Sequence, residues 1–337
     1  MITVIKPGLL TTVQDLGRPG FQQFGIVVGG ALDRFSTRVA NLILGNDANA
    51  AVLEMAQTGP ELRFESETVV AWCGADFDAR IGSEPMPRDR PVRVAAGETL
   101  TFGFARSGLR AWLAVAGGID VPLVMGSRST YRRAEIGGHE GRALVAGDKL
   151  AVCVPGERSA HLLASLQTTG RRVPGWTVRP QTLGGTVVDG TMRAMPGPEW
   201  DWFTAESQKA FFSADWRVTN EADRMGVRLV GPVLELNKPR EMISSAVNTG
   251  IVQVPTSGQP IILLPSRQSV GGYPRLAAMA AVDVGRFAQL RPGDTVRFQK
   301  ITLSTAHELH LARERDLALI RMGLERVDGL KLCLKSI

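Results

Sequence analysis

The sequence predicts a mainly β fold with a few helices, and three observations predict it. Glycine and proline are dense, at 37 and 19 of 337 residues. Aromatic residues are sparse (twelve Phe, six Trp, two Tyr), while Val, Thr and Leu are frequent, the composition of short strands joined by tight turns. Short apolar runs recur, each bounded by Gly, Pro or Asp. With 44% hydrophobic and 21% charged residues, the chain has the material for a large core, which excludes wholesale disorder. The length suits two domains or one large one.

Strand-like sequence begins at Ile2 and recurs at 69–73, 77–81, 92–95, 99–104 and 111–115. One early segment differs. From Asp33 to Leu44, Phe35, Val39, Leu42 and Ile43 recur at helical spacing, with Asp33 placed to cap the start and Gly45-Asn46 to stop the end. A second helix is expected over 205–212, capped by Thr204. A third is expected over 306–326, where Thr305 and Glu308 have capping-box spacing. This tail helix is expected to pack through Leu309, Ala312, Leu319 and Ile320.

The stretch from 155 to 177 loses the strand pattern and gains Ser, Thr, Gly and Arg, which reads as a linker. The expected organisation is therefore an N-terminal half at 1–155, a linker at 156–178, a C-terminal half at 179–300 and a helical tail at 301–337. The halves share short motifs. Arg18-Pro19-Gly20-Phe21 resembles Arg224-Met225-Gly226-Val227, and Ala146-Gly147-Asp148-Lys149-Leu150 resembles Pro292-Gly293-Asp294-Thr295-Val296. Gly97-Glu98-Thr99-Leu100 has the same turn, so duplication and ordinary strand–turn–strand grammar both remain open.

Several function classes drop out. No apolar run reaches the ~18–20 residues that span a bilayer, and no basic segment leads into an apolar one at the start, so no membrane partner and a cytoplasmic location are expected. Cys73, Cys153 and Cys333 are far apart and none forms CxxC, which argues against a disulfide framework or a cysteine zinc site. The formal charge of +6 is spread over scattered arginines interleaved with acids. That pattern suits a solvated basic surface or anion-binding arginines rather than nucleic acid. Phosphate-loop, dinucleotide-binding and nucleophile-elbow motifs are absent. So is any biotinyl-lysine context, and no biotin is expected on this chain. His307 and His310 sit at i, i+3, which is not metalloprotease spacing, and no metal is expected.

Four polar, glycine-dense clusters stand out. They are 11–21, 117–142, 223–226 and 253–274. Their glycines suit close backbone approach or barrel corners. Between them stand Gln14, Asp15, Arg18, Arg224, Gln253, Gln259 and Gln268, with Tyr273 in the last cluster. Amides offer donor and acceptor together, and arginine grips carboxylate or phosphate with two parallel bonds. This set suits a planar amide or carboxylate ligand, or else hydrogen bonding at turns and strand edges. Asn41, inside the apolar early helix, either bonds a nearby loop or faces a site.

These residues carry a resemblance. Gly8-Leu9-Leu10-Thr11-Thr12-Val13-Gln14-Asp15-Leu16-Gly17-Arg18, Gly30-Ala31-Leu32-Asp33, Ala40-Asn41-Leu42-Ile43-Leu44-Gly45-Asn46, Gly117-Gly118-Ile119-Asp120, Gly126-Ser127-Arg128-Ser129-Thr130, Asp223-Arg224-Met225-Gly226, Gln253-Val254-Pro255 and Gly271-Gly272-Tyr273-Pro274 occur in order. Together they resemble the allophanate hydrolase subunit 2 family, also called the biotin-dependent carboxyltransferase family.

The resemblance implies duplicated cyclophilin-like β-barrels. Stand-alone members of this size are similar to the C-type subunit of an ATP-dependent 5-oxoprolinase, a cyclic-amide hydrolase. That setting implies ATP, bound with or by a partner. It also implies two partner subunits, one of B type, similar to allophanate hydrolase subunit 1, and one of A type. Two other roles are implied by relatives: a carboxyltransferase component of a urea carboxylase system, and a non-catalytic partner antagonising a kinase-inhibitor-like B-type subunit. On the oxoprolinase reading, Arg18 and Arg224 hold carboxylate or phosphate, Gln14 and Gln253 orient the amide, and Asp15 is the base. Asn41, Gln259, Gln268 and Tyr273 complete the expected substrate-binding set. Ser266, Ser269 and Val270 stand where the family usually has Asp and a Thr pair, and Ser245 stands where a Glu is common.

Overall fold

The computed structural model describes residues 1–179 and 190–327. Cys333 and the end of the expected tail lie outside them. The chain divides into two compact units. Within the described residues, one comprises 1–17, 34–179 and 313–327, and the other comprises 18–33 and 190–312. Segment 18–33 thus belongs to the second unit, although it lies inside the expected N-terminal half. Local pattern does not reveal such a crossing, because it records periodicity and not long-range contact.

The first unit is built on a ten-stranded antiparallel sheet. Its strands are β1 (Ile2–Lys6), β2 (Leu10–Gln14), β3 (Val52–Ala56), β4 (Glu61–Phe64), β5 (Thr68–Ile81), β6 (Glu84–Pro85), β7 (Val92–Val94), β8 (Thr99–Val115), β9 (Ile119–Asp120) and β10 (Lys149–Val152). The order runs β2-β3-β8-β4-β1-β10-β9, with β5 alongside β8 and β6 and β7 on β5. Strands β5 and β8 each join two runs that the sequence shows as separate. Gly74 explains the first break. It has φ +108, and a Cβ there would lie 2.6 Å from Arg110 O, so a bulge carries the strand onward where a stop was read. Alternating side chains fill the core with Phe64, Trp72, Phe77, Phe102 and Leu113. Trp72 meets Phe102 edge to face, with centroids 5.1 Å apart.

Helix α1 (Arg34–Leu44) buries Val39, Leu42 and Ile43, as their spacing predicts, together with Ala40, while Phe35 at its start is only half-buried. It stops at Gly45 (φ +76), whose amide bonds Leu42 O. The expected linker contains α2 (Glu157–Thr168), which buries Ser159, Leu162 and Leu166. Its apolar stripe is narrow and set among Ser, Thr, Gln and charged residues, so composition alone hides the helix.

The second unit is a closed barrel. Its strands are β11 (Thr191–Pro196), β12 (Trp216–Ala222), β13 (Gly226–Val230), β15 (Ile251–Gln253), β16 (Ile261–Leu263), β18 (Arg275–Met279) and β19 (Thr295–Lys300), in the order β11-β18-β15-β16-β13-β12-β19. β11 and β19 pair in parallel and close the ring. A separate pair, β14 (Ser245–Ala246) and β17 (Val270–Gly271), lies outside it. Helix α3 (Ala205–Ser213) begins as predicted, with the Thr204 hydroxyl accepting from Ser207 N. It plugs the barrel with Phe211, stacked on Phe298 at 4.6 Å and packed on Trp216. Arg193 and Asp283 form a buried two-pronged pair with contacts of 2.6 and 2.9 Å, next to the short helix α4 (Val284–Phe287).

The tail helix α5 runs Leu303–Val327. It starts earlier than the sequence suggests, because the Thr302 hydroxyl, not that of Thr305, caps it by accepting from Thr305 N at 3.1 Å. Its buried stripe is Leu317, Ile320 and Leu324. Of the expected packing residues, Ile320 is buried, Leu309 and Ala312 are half-buried, and Leu319 is 60% exposed.

Candidate functional site

The expected site residues fall in both units. Gln14, Asp15 and Asn41 belong to the first, and Arg18, Arg224, Gln253, Gln259, Gln268 and Tyr273 belong to the second.

In the first unit, the end of β2 leads into a buried polar knot. Asp15 is 1% exposed. Its Oδ1 accepts from the Ser127 hydroxyl (2.6 Å), the Ser129 hydroxyl and Gly17 N (2.8 Å), and its Oδ2 accepts from Arg128 N (2.6 Å). Both oxygens are therefore committed to the Gly126–Thr130 motif and to the turn at Gly17. A carboxylate saturated with donors inside the protein is poorly placed to take a proton from a ligand. Gln14 is also buried. It donates to the Thr12 hydroxyl and Thr130 O, and its Oε1 has no hydrogen-bond partner among the described residues. Asn41 donates to Ala50 O and accepts from Asn46, which in turn donates to Val115 O and accepts from Gly117 N. It ties the exit of α1 to the sheet.

In the second unit, Arg18 and Arg224 serve one segment. Arg18 N donates to Val28 O, and Arg224 Nη2 donates to Gly30 O. Burial pulls the Arg224 guanidinium down to about 10, so it stays protonated at neutral pH. Arg267 is also buried. It donates to Val247 O, Thr249 Oγ1 and Asn248 Oδ1, all neutral acceptors, and burial lowers its pKa as well. Gln259 accepts from Gly231 N and donates to Gly231 O, which copies one rung of a strand ladder and consumes its amide.

Gln253, Gln268 and Tyr273 come together. They line a cleft of about 500 Å³ in the second barrel, with Asn220, Asp223, Met225 and Arg228. Its walls are the facing ends of β12, β13, β15 and β16. Gln253 is 1% exposed and donates through Nε2 to Tyr273 O at 3.3 Å. Its position depends on Gly271, where a Cβ would lie 2.5 Å from that same Nε2. With Nε2 engaged, the Gln253 carbonyl oxygen is left as an acceptor. Asp223 sits in the β12–β13 turn. Its Oδ1 accepts from Met225 N (2.7 Å) and Gly226 N (3.0 Å), and its Oδ2 has no hydrogen-bond partner among the described residues. Arg228 pairs with Glu221 at 2.7 Å on the exposed side. In the sequence Asp223 falls in a glycine-dense cluster without a role of its own. The available signal was the Asp-x-x-Gly spacing, which is also that of an ordinary hairpin turn.

The cleft thus offers fixed acceptors beside amide and phenol donors, the complement of an amide ligand. Among the described residues, no group of His, Cys, Asp and Glu has metal-holding geometry and no helix is long and apolar enough to cross a membrane.

The two β-barrel units and the order of the motifs have a known counterpart. The chain belongs to the carboxyltransferase domain family, subdomains A and B, whose model matches residues 24–300. It is 39% identical over 315 residues to the C-type subunit of 5-oxoprolinase from Escherichia coli K12, covering 94% of this chain and 96% of that protein. It is 31% identical over 339 residues to the urea amidolyase of Lachancea kluyveri, covering 95% of this chain but 18% of that one. The crystal structure of the Kluyveromyces lactis urea amidolyase superposes with a TM-score of 0.83 at 29% identity, covering 95% of this chain and 20% of that chain.

Proposed function

We propose that this chain is the C-type subunit of an ATP-dependent 5-oxoprolinase, a cytoplasmic enzyme that opens 5-oxo-L-proline to L-glutamate with ADP and phosphate as co-products. The observation that carries the reading is coverage. The similarity to the E. coli protein spans nearly the whole of both chains, whereas the urea amidolyase similarity covers a fifth or less of that protein. The amide-lined cleft supports it, since a lactam presents one N–H and one carbonyl in a plane.

In this reaction, phosphorylating the lactam oxygen makes the ring carbon electrophilic and creates a leaving group. Water then adds at that carbon and the C–N bond breaks, the nitrogen leaving as the free amine and the carbon as an acyl phosphate; a second water at the same carbon releases phosphate and leaves the glutamate carboxylate. The chain's contribution is positioning and charge stabilisation. Gln253, Gln268 and Tyr273 remain the substrate-binding residues of this reading. Arg18 and Arg224 shape the Val28–Gly30 segment, and Arg224 keeps its positive charge near it. Asp15 and Asn41 are assigned to the fold.

The cleft does not fit a triphosphate, because Asp223 and Glu221 outnumber Arg228 on its walls. ATP therefore belongs with the two partner subunits, the B-type one similar to allophanate hydrolase subunit 1 and the A-type one. The test is co-purification with candidate A-type and B-type partners, followed by ADP release with 5-oxoproline. Turnover that requires all three chains is expected; turnover by the two partners alone sinks the proposal. A carboxyltransferase role is favoured by the family match instead. It requires avidin-sensitive incorporation of bicarbonate, which this reading expects to be absent.

A further inference from the structure

We infer that Asp223 and Gln253 act as a pair of hydrogen-bond acceptors that select a ligand carrying an amide N–H. The inference rests on the amide-ligand reading above and deepens it by naming the group recognised and the residues that read it.

Two observations carry it. The first is that each side chain is locked by a bond through its other polar atom. Asp223 Oδ1 is held by two backbone amides of its own turn, and Gln253 Nε2 is held on Tyr273 O within a space that only a glycine at 271 leaves open. Each is left with one oxygen fixed by the bond to its other polar atom, Gln253 in a buried position and Asp223 in an exposed one at the cleft's edge. The second is that both residues line the same cleft. The acid that the sequence nominates, Asp15, has both oxygens sealed by donors, so Asp223 supplies the cleft's turn-fixed carboxylate. Fixed acceptors with no internal donor favour ligands that bring N–H groups, and they penalise ligands that present a methyl there.

The experiment uses the full chain with its methionine methyl groups isotopically labelled. Met225 lines the cleft, so its methyl signal reports occupancy. The probes are 5-oxoproline, its N-methyl derivative and urea. 5-Oxoproline is expected to shift the Met225 signal, and N-methylation to weaken binding roughly tenfold or more, the scale of a lost hydrogen bond to a charged group. Asp223→Asn retains an oxygen for the turn. It is expected to weaken 5-oxoproline roughly tenfold, to leave the N-methyl derivative unchanged and to leave the thermal midpoint in place. Equal binding of the two lactams, or equal weakening of both by Asp223→Asn, overturns the inference alone. If none of the three probes binds, the amide reading falls and takes the inference with it. Should Asp223→Asn fail to fold, the two lactams on the unaltered chain still decide.

Discussion

The backbone amide of Asp15 donates to the Ser129 hydroxyl at 2.9 Å, and the same hydroxyl donates back to Asp15 Oδ1. This reciprocal bond joins the end of β2 to a motif more than a hundred residues away. It explains why two glycine-dense segments, each suggestive of a ligand site, are found together: they bind each other. Ser127, Arg128 N and Gly17 N complete the arrangement, so the carboxylate acts as an internal latch.

Removing that latch is expected to cost stability before it costs chemistry. Asp15→Ala leaves several buried donors without an acceptor, a loss of about 3 kcal/mol or more. Asp15→Asn turns an NH₂ toward a donor and is expected to cost about 2 kcal/mol. Urea-unfolding midpoints measure both. Wild-type stability in Asp15→Asn combined with abolished turnover would restore Asp15 as the base.

A second carboxylate gives a pH signature. Arg142 grips Asp148 with two bonds of 2.8 Å each. That grip holds the Asp148 carboxyl at about 2 against an ordinary value of 3.8, although burial pushes the other way. A folded-state value below the unfolded one adds stability that is complete above pH ~4 and lost as pH falls through about 2. After discounting for the partly exposed Arg142, the contribution is about 1–2 kcal/mol. Acid titration of the unfolding free energy is expected to show a drop between pH ~4 and ~2, and Asp148→Asn to remove that part of it.

On the tail helix, neighbours two residues apart are expected to differ sharply. Leu317 is 3% exposed and Leu319 is 60% exposed. Leu317→Ala should cost about 2–4 kcal/mol by leaving a cavity, and Leu319→Ala should stay within ~0.5 kcal/mol. Thermal unfolding of the two variants checks the assignment. Equal effects would restore the packing face that the sequence suggested.

The fold was legible where local chemistry decides it. Thr204 capping α3 and Gly45 ending α1 are one-turn features, and the residues state them directly. The long strand β5 reads as two runs because Gly74 serves as a bulge, and a bulge glycine looks like a stop glycine. The onset of α5 shifted by one turn because Thr302 and Thr305 offer the same hydroxyl three residues apart. The site was legible only as a class of chemistry. Asp15 and Asp223 are both acids beside glycine turns, and what separates them is pairing at a distance: Ser127 and Ser129 seal one, while the other bonds only the amides of its own turn. The placement of 18–33 in the second unit is likewise a matter of long-range contact.

The last expectation concerns Gly271, which touches the site without offering a functional group. A Cβ there would stand 2.5 Å from Gln253 Nε2. The obstructed atom is the end of a side chain, so the amide can swing aside and little stability is lost, within about 1 kcal/mol. Once displaced, however, Gln253 loses its anchor on Tyr273 O, and its acceptor no longer points in one direction. Gly271→Ala is therefore expected to weaken amide binding several-fold while the unfolding midpoint holds. The double variant Gly271→Ala with Gln253→Ala should bind no worse than Gln253→Ala alone, because the alanine at 271 acts only through that side chain. Calorimetric titration of the three variants with 5-oxoproline decides it, and additive losses would show that Gly271 contacts the ligand itself.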